Sequence, residues 1–291
     1  MAEREFSTAG MAGMKQNRIV SNIIIFVVVL VLAVLFVMPF FLMVLNSFKL
    51  STEFIANPFS WPVEFHFENY SNAFNTMNFL NSFINSILIC VIATVVSTSL
   101  SAMNAYVLTR FAGWKINKFL YMILIAAMVV PFQVIMIPLV KIYGSTFGLS
   151  NNIWMVTFIH IGLNIPFPTF LFCGFIGGIP RDLDEAAMID GASMEGTFFK
   201  IIFPLLKPII ITSIVFTALS IWNDYILAST FLSVKEVKTL PLMTYSFLAT
   251  RSADYAPMMA GLVLMMLPVL ILYMVGQKYI IGGIVAGSVK G

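Results

Sequence analysis

The sequence predicts an all-α integral membrane protein: six transmembrane helices carrying a helix-turn-helix loop on the cytoplasmic side. Three observations predict it. Of 291 residues, 60% are apolar and only 10% charged, with a mean hydropathy of +0.96. A soluble globular chain carries about 25% charged residues and 45–50% apolar ones. The charges sit in clusters, and the intervals between them reach the ~20 residues a helix needs to cross a ~30 Å hydrocarbon core. Lysine and arginine also favour one set of loops over the other. The high content of Leu, Ile, Val and Phe excludes a disordered chain.

The spans follow in order. No charge lies between Arg18 and Lys49, and Ile19–Asn46 is one apolar run. It is too long for the core of a cleaved signal peptide and no small-residue cleavage site follows, so it is expected to stay as the first span. Ile84–Leu108 is the second. Phe119–Val140, between Lys118 and Lys141, is the third. Ile153–Ile176 is the fourth, Pro208–Leu232 the fifth, interrupted by Asp224, and Met258–Gln277 the sixth. Pro131, Pro138, Pro166, Pro168 and Pro268 fall inside spans, where each removes a backbone donor and can kink its helix. The organisation expected is a cytoplasmic N-terminus over 1–18, a membrane domain over 19–280 with a long loop at 177–207, and a cytoplasmic tail over 281–291.

Orientation follows from the basic residues. With the N-terminus inside, Arg4, Lys15, Arg18, Arg110, Lys115, Lys118, Arg181, Lys200, Lys207, Lys278 and Lys290 are cytoplasmic. Lys49, Lys141, Lys235, Lys238 and Arg251 are external. That is 11 against 5 of the 16 basic residues, so both termini are expected in the cytoplasm of a cell that holds the chain in its plasma or inner membrane. Two external segments are long. Lys49–Phe83 is rich in aromatics, which suit either the headgroup level or the docking of an external partner. Ser233–Pro257 mixes charges with the apolar run Leu240–Tyr245.

Several functions are excluded on composition. Sixteen basic residues nearly balance 13 acidic ones and form no long run, so no nucleic-acid surface is expected. Cys90 and Cys173 each lie in an apolar stretch, and His66 and His160 stand alone, so neither a disulfide framework nor a metal site is expected. No cluster of nucleophile, base and metal ligands suggests an enzyme, and no catalytic residue is assigned. No Gly-x-x-x-x-Gly-Lys-Ser/Thr segment is present to cradle ATP in the Walker manner.

The strongest local pattern is in the 177–207 loop. Pro180 precedes Arg181-Asp182-Leu183-Asp184-Glu185, which places carboxylates in a helix's first turn, where the macrodipole favours them. Ala186 and Ala187 are strong helix formers. Gly191 can take positive φ and turn the chain. Met194–Phe203 then resumes an amphipathic pattern. A small-residue helix held outside the bilayer suggests insertion into a groove on another protein.

The spacing Glu185-Ala186-Ala187, three residues, Gly191, nine residues, then Ile201-Ile202-Phe203-Pro204 resembles the Glu-Ala-Ala loop of permease subunits from binding-protein-dependent ABC importers. Phe203 stands where that signature has Leu. The resemblance runs along nearly the whole chain and is greatest to the smaller permease of maltose-type carbohydrate importers. It is carried by Asn46-Ser47-Phe48-Lys49, by Asn104–Arg110, by Trp222-Asn223-Asp224 and by the tail Gly282–Gly291. The resemblance implies a heteromeric importer in which a second permease completes the path. Two ATPase subunits sit beneath and bind the ATP, and an extracytoplasmic sugar-binding protein delivers the carbohydrate, an oligosaccharide. It implies a coupling surface made by Glu185, Ala186, Ala187, Asp190, Gly191, Ser193 and Pro204, and an ATPase-facing tail at Ser288, Val289, Lys290 and Gly291. The Ser233–Pro257 loop would probe the binding protein's sugar cleft. This chain itself is expected to need no cofactor.

Inside the membrane, Asp224 would cost ~2.5–3.5 kcal/mol at a helix centre on insertion scales. It lines the translocation path, or it pairs with a polar group on a neighbouring helix and fixes packing. Gln133, Asn164, Asn223 and His160 are other candidates for a polar lining, and Trp222 and Tyr225 could offer faces to a sugar. The alternative to an ATP-driven importer is a stand-alone secondary transporter for a small polar solute. That class often shows inverted repeats and several intramembrane charges, and the halves of this sequence show no repeat.

Overall fold

The structure is a computed structural model that describes residues 2–248 and 254–288, with side chains described over 21–248 and 254–277. Its regular elements are helices: α1 Ala2–Asn46, α2 Ser51–Ala56, α3 Glu68–Thr76, α4 Phe79–Arg110, α5 Lys115–Val129 and α6 Phe132–Leu139, which continues as a π-helical stretch, Val140–Thr146. There follow α7 Ile153–Leu163, α8 Pro166–Gly177, α9 Asp182–Ile189, α10 Met194–Thr197, a π-helical stretch Phe198–Ile202, α11 Phe203–Leu205, α12 Lys207–Trp222 and α13 Ile226–Phe231. After a short 3₁₀ turn come α14 Leu240–Met243, a second 3₁₀ turn and α15 Tyr255–Ser288. Among the described residues, four helical segments are long and apolar enough to cross a membrane, and six are reached when each of two bent pairs counts as one span.

The bent pairs show where the expected spans depart from straight helices. The third span breaks by 98° between α5 and α6. Pro131 cannot donate to the ladder and pushes Val130 out of the helical region, to ψ 117°. The 77° bend lies at the start of the fifth, between the 194–205 arm of the loop and α12, beside Pro204 and Pro208. The fifth span also ends earlier than expected. α12 stops at Trp222, and α13 is a separate six-residue helix. Asp224 therefore lies in a break between helices rather than inside one. The fourth span interrupts only at Asn164–Ile165, with Pro166 opening α8. α1 and α15 run past the ends expected for the first and sixth spans, and α1 continues through residue 18 without a break.

The chain forms two compact units, Met1–Tyr70 with Asp254–Val263, and Ser71–Ala253 with Leu264–Gly291. In the first unit, the four residues 46–49, from the last residue of α1 onward, hold the chain up to residue 70. The Asn46 amide donates to the carbonyls of Leu42 and Pro58 at 2.7 and 3.0 Å. Asn69 donates to the carbonyls of Ser47 and Lys49 at 2.9 and 2.8 Å, and Ser47 pairs with the Tyr70 hydroxyl at 2.8 Å. Phe48 gathers the rings of Phe65, Phe67 and Tyr70. Lys49 is fully buried, and its three ammonium protons find the carbonyls of Asn57 and Pro58 and the Ser60 hydroxyl. Burial holds its pKa below the ordinary lysine range, against the opposing pull of Glu53.

In the second unit α4 is the centre, packed against α7, α8 and α12. Its buried face is small and polar: Ser82, Ser86, Ala93, Ser97, Ser101, Ala102 and Ala105 all lie on it. Small side chains let helices approach closely, and van der Waals contact replaces the hydrophobic driving force that lipid cannot supply. Hydroxyls and thiols on this face reach across to neighbouring carbonyls, Ser101 to Ile165 at 3.0 Å and Cys90 to Ala218 at 3.5 Å. At the C-terminal end of α4 the packing turns apolar. Ala102, Ala105 and Tyr106 meet Phe172 and Ile176 of α8 and Phe198, Ile202, Leu206 and Ile209 from beyond the 178–193 loop.

Candidate functional site

The 178–206 loop is built as its sequence predicts, a short helix, a glycine turn and a second helix. α9 carries Asp182, Asp184 and Glu185 in its first turn. Gly191 has φ of +82°. Its N–H donates to the Met188 carbonyl at 3.0 Å, and the Ala192 N–H to the Ala187 carbonyl at 2.9 Å. These are the two bonds of a Schellman cap, which closes α9 and needs a left-handed residue at this position. Ser193 then caps α10, its hydroxyl accepting from the Gly196 N–H at 3.1 Å.

One face of α9 is anchored and the other is open. Asp184 is buried and receives two groups from the last turn of α4: the Tyr106 hydroxyl donates to it at 2.7 Å, and the Arg110 guanidinium pairs with it at 2.8 Å. Only 9% of the Asp184 side chain and 8% of the Arg110 side chain are exposed. Arg110 also donates to the Ile179 carbonyl at 3.1 Å, so it ties α4, the end of α8 and α9 together. Tyr106 and Arg110 are one turn apart and therefore share a helix face. Sequence reasoning assigns Arg110 to orientation and to the family resemblance, and Asp184 to the helix dipole, and does not bring the two together. The available signal was a tyrosine and an arginine at i and i+4 ending a span, with unpaired carboxylates on the loop that packs beneath.

Ala187 lies on the inner face with Asp184, three residues away, and is buried by this chain. The i, i+3 spacing that buries Asp184 also turns Ala187 inward. The open face presents Leu183, Glu185, Ala186, Met188, Ile189 and Asp190, with Ile189 85% exposed. Gly191, Ser193 and Pro204 are exposed too. Of the tail, Ser288 ends α15, and Val289, Lys290 and Gly291 lie outside the described residues.

The candidates inside the membrane gather only in part. Asp224 caps α13, accepting from the backbone N–H groups of Leu227 and Ala228 at 3.3 and 3.0 Å, and lies 3.7 Å from His160 of α7. At that distance the two side chains are neighbours and not hydrogen-bonded. Asp224, His160, Trp222, Ser86 and Thr239 line a cavity of about 10 Å³, room for about one water molecule. The Trp222 indole is buried, with the Phe83 ring set edge-on at 6.0 Å, so it offers no open face to a sugar. Tyr225 stacks on Tyr245 with ring centroids 4.1 Å apart. Asn164 donates to the His160 carbonyl at 2.9 Å, Asn223 donates to the Leu219 carbonyl at 2.8 Å, and Gln133 is exposed on α6.

The N-terminal end of α4 carries a second set of polar grips. Asn85 donates to the carbonyls of Glu236 and Lys238 at 2.9 and 3.1 Å, and the Ser86 hydroxyl accepts from the Leu240 N–H at 2.8 Å. Asn151 receives the N–H groups of Ser233 and Val234. The apolar run from Leu240 to Thr244 is buried, so this segment is seated on the unit rather than loose above it.

Residues 100–284 match the family described as binding-protein-dependent transport system inner membrane component. The chain is 36% identical over 261 residues to a probable starch degradation products transport system permease protein, AmyC, of Thermoanaerobacterium thermosulfurigenes, covering 90% of this chain and 94% of that one. It is 33% identical over 279 residues to the melibiose/raffinose/stachyose import permease protein MelC of Bacillus subtilis (strain 168), covering 96% and 100%. Its fold matches a chain of a bacterial ABC transporter involved in the import of the acidic polysaccharide alginate, with a TM-score of 0.73 at 22% identity over 89% of this chain and 96% of that one. The chain belongs to the family of inner membrane components of binding-protein-dependent transport systems, as a multi-pass permease subunit of an ABC importer.

Proposed function

We propose that the chain is one of two permease subunits of an ATP-driven carbohydrate importer, and that its substrate is an oligosaccharide. The observation that carries this is the loop at 182–205. A helix pinned from behind by a buried ion pair presents an apolar and acidic face outward, in a chain whose relatives are named as permeases for starch degradation products and for melibiose, raffinose and stachyose. The basic-residue count puts this loop and both termini in the cytoplasm. Two ATPase subunits dock there and hydrolyse the ATP. Glu185, Ala186, Asp190 and Gly191 form the contact, while Ala187, Ser193 and Pro204 hold it in shape. The tail Ser288–Gly291 reaches the same partners.

On the outer side a sugar-binding protein delivers the substrate and meets the segments Lys49–Phe83 and Ser233–Pro257. Gln133, Asn164, Asn223, Asp224 and Tyr225 contribute to the path, with Trp222 behind them as packing. The chain itself binds no cofactor and catalyses no reaction.

The test is reconstitution of the chain with a second permease, the ATPase and the binding protein in liposomes. Uptake of labelled oligosaccharide is expected only with ATP inside and binding protein outside. Uptake that persists without the ATPase subunits would overturn the reading in favour of a stand-alone transporter.

A further inference from the structure

We propose that α4 is a rigid rod that transmits between the ATPase-facing loop and the binding-protein-facing segment, with Tyr106 and Arg110 as positioning residues at one end and Asn85 and Ser86 at the other; this rests on the importer reading above. Both ends of α4 grip loops. At the C-terminal end Tyr106 and Arg110 hold Asp184 at 2.7 and 2.8 Å. At the N-terminal end Asn85 and Ser86 hold the backbone of 236–240. The 24 residues from Ser86 to Arg110 rise about 36 Å, enough to cross the hydrocarbon core.

The sequence between the grips suits a rod. Phe79–Arg110 contains neither glycine nor proline, whereas each of the other apolar spans contains at least one proline. Sharp kinks arise at such residues, and α4 runs unbroken over 32 residues. Its buried small residues keep it in close contact with α7, α8 and α12, so displacement at either end moves a packed body rather than bending one helix. Binding energy at one loop then biases the other, and the coupling is reciprocal.

The experiment measures ATP hydrolysis by the complete transporter in nanodiscs, with and without sugar-loaded binding protein, in Asn85→Ala, Asp184→Asn and the double variant. Each single change is expected to lower the stimulated rate about tenfold, within the usual range of allosteric coupling, with basal hydrolysis unchanged within about twofold. The double variant should fall no further than the lower single, because both changes weaken one route through α4 and their losses do not multiply. Tyr106→Phe, which keeps the ion pair and removes one hydrogen bond, replaces Asp184→Asn in the cycle if that complex fails to assemble. Independent losses that multiply to about a hundredfold in the double variant overturn the proposal, as does a fall in basal hydrolysis matching the fall in stimulated hydrolysis. A wild-type complex that hydrolyses ATP without any response to loaded binding protein overturns the importer reading and the rod with it. A responsive wild type with multiplicative variants overturns the rod alone.

Discussion

Between Ser21 and Phe41 every side chain of α1 is exposed, and most are Ile, Val, Leu or Phe. α4 also crosses a membrane's width, yet ten of its thirteen buried residues are Ser, Thr, Asn or Ala. In a soluble protein the assignment would be reversed. Lipid tails are as apolar as leucine, so an aliphatic side chain gains nothing by leaving them. Close backbone approach and hydrogen bonds then decide which helix goes inside. The contrast teaches that on α1 aliphatic side chains mark the outside of the fold, whereas the buried face of α4 is mostly small and polar; at the C-terminal end of α4 aromatic packing and an ion pair hold the loop.

The largest effect that tests this contrast belongs at that end. Asp184→Ala leaves Arg110 buried without its counter-charge and is expected to destabilise the chain by about 3–5 kcal/mol. Thermal unfolding in detergent followed by size-exclusion chromatography measures it, and Arg110→Met in the same chain should restore most of the loss. A stable single variant would mean that the pair is not what anchors α9.

Ala105→Leu comes next. Ala105 is fully buried against Phe172 and Ile176, and overpacking there should cost about 1–3 kcal/mol. The same unfolding assay reads it, and an unchanged midpoint would remove close packing as the reason for small residues on α4.

Gly191→Ala is smaller. A Cβ at Gly191 meets no atom within 4 Å, so the cost is that of positive φ alone, about 1–2 kcal/mol. Gly191→Asn should be milder, since asparagine tolerates the left-handed region. Equal losses for the two variants would point to a contact rather than to backbone strain.

Val31→Ala on α1 is expected to change the stability of the isolated chain by no more than about 0.5 kcal/mol, like other substitutions away from packed groups. A clear loss appearing only in the assembled transporter would show that a protein partner, rather than lipid, covers this face.

Much of this was legible in advance. The apolar spans follow from charge spacing, six of them when each bent pair counts as one, and the turn at Gly191 follows from the local pattern, because the Schellman cap is made by neighbours in sequence. The break at Pro131 was marked by its proline, although a proline reports the lost hydrogen bond and not the angle that results; the bend beside Pro204 and Pro208 was not foreseen, because those prolines fall at a span's end. The early end of α12 was harder to see. Residues 208–232 are apolar throughout save Asp224, and hydropathy does not distinguish one long helix from two that share a capping carboxylate.

From the sequence alone follow the membrane class, the number of apolar spans, the loop's helix-turn-helix and the absence of a Walker segment. These depend on composition and on residues within a few positions of one another, where periodicity and backbone preference act. Only the tertiary structure decided that Asp184 meets Arg110 and Tyr106, that Ala187 faces inward, that Asn85 holds the 236–238 carbonyls and that His160 stands beside Asp224. Each of these is set by which helix packs beside which. In a bilayer that choice is made by the fit of small residues across an interface, summed over many weak contacts, and no single stretch of sequence encodes it.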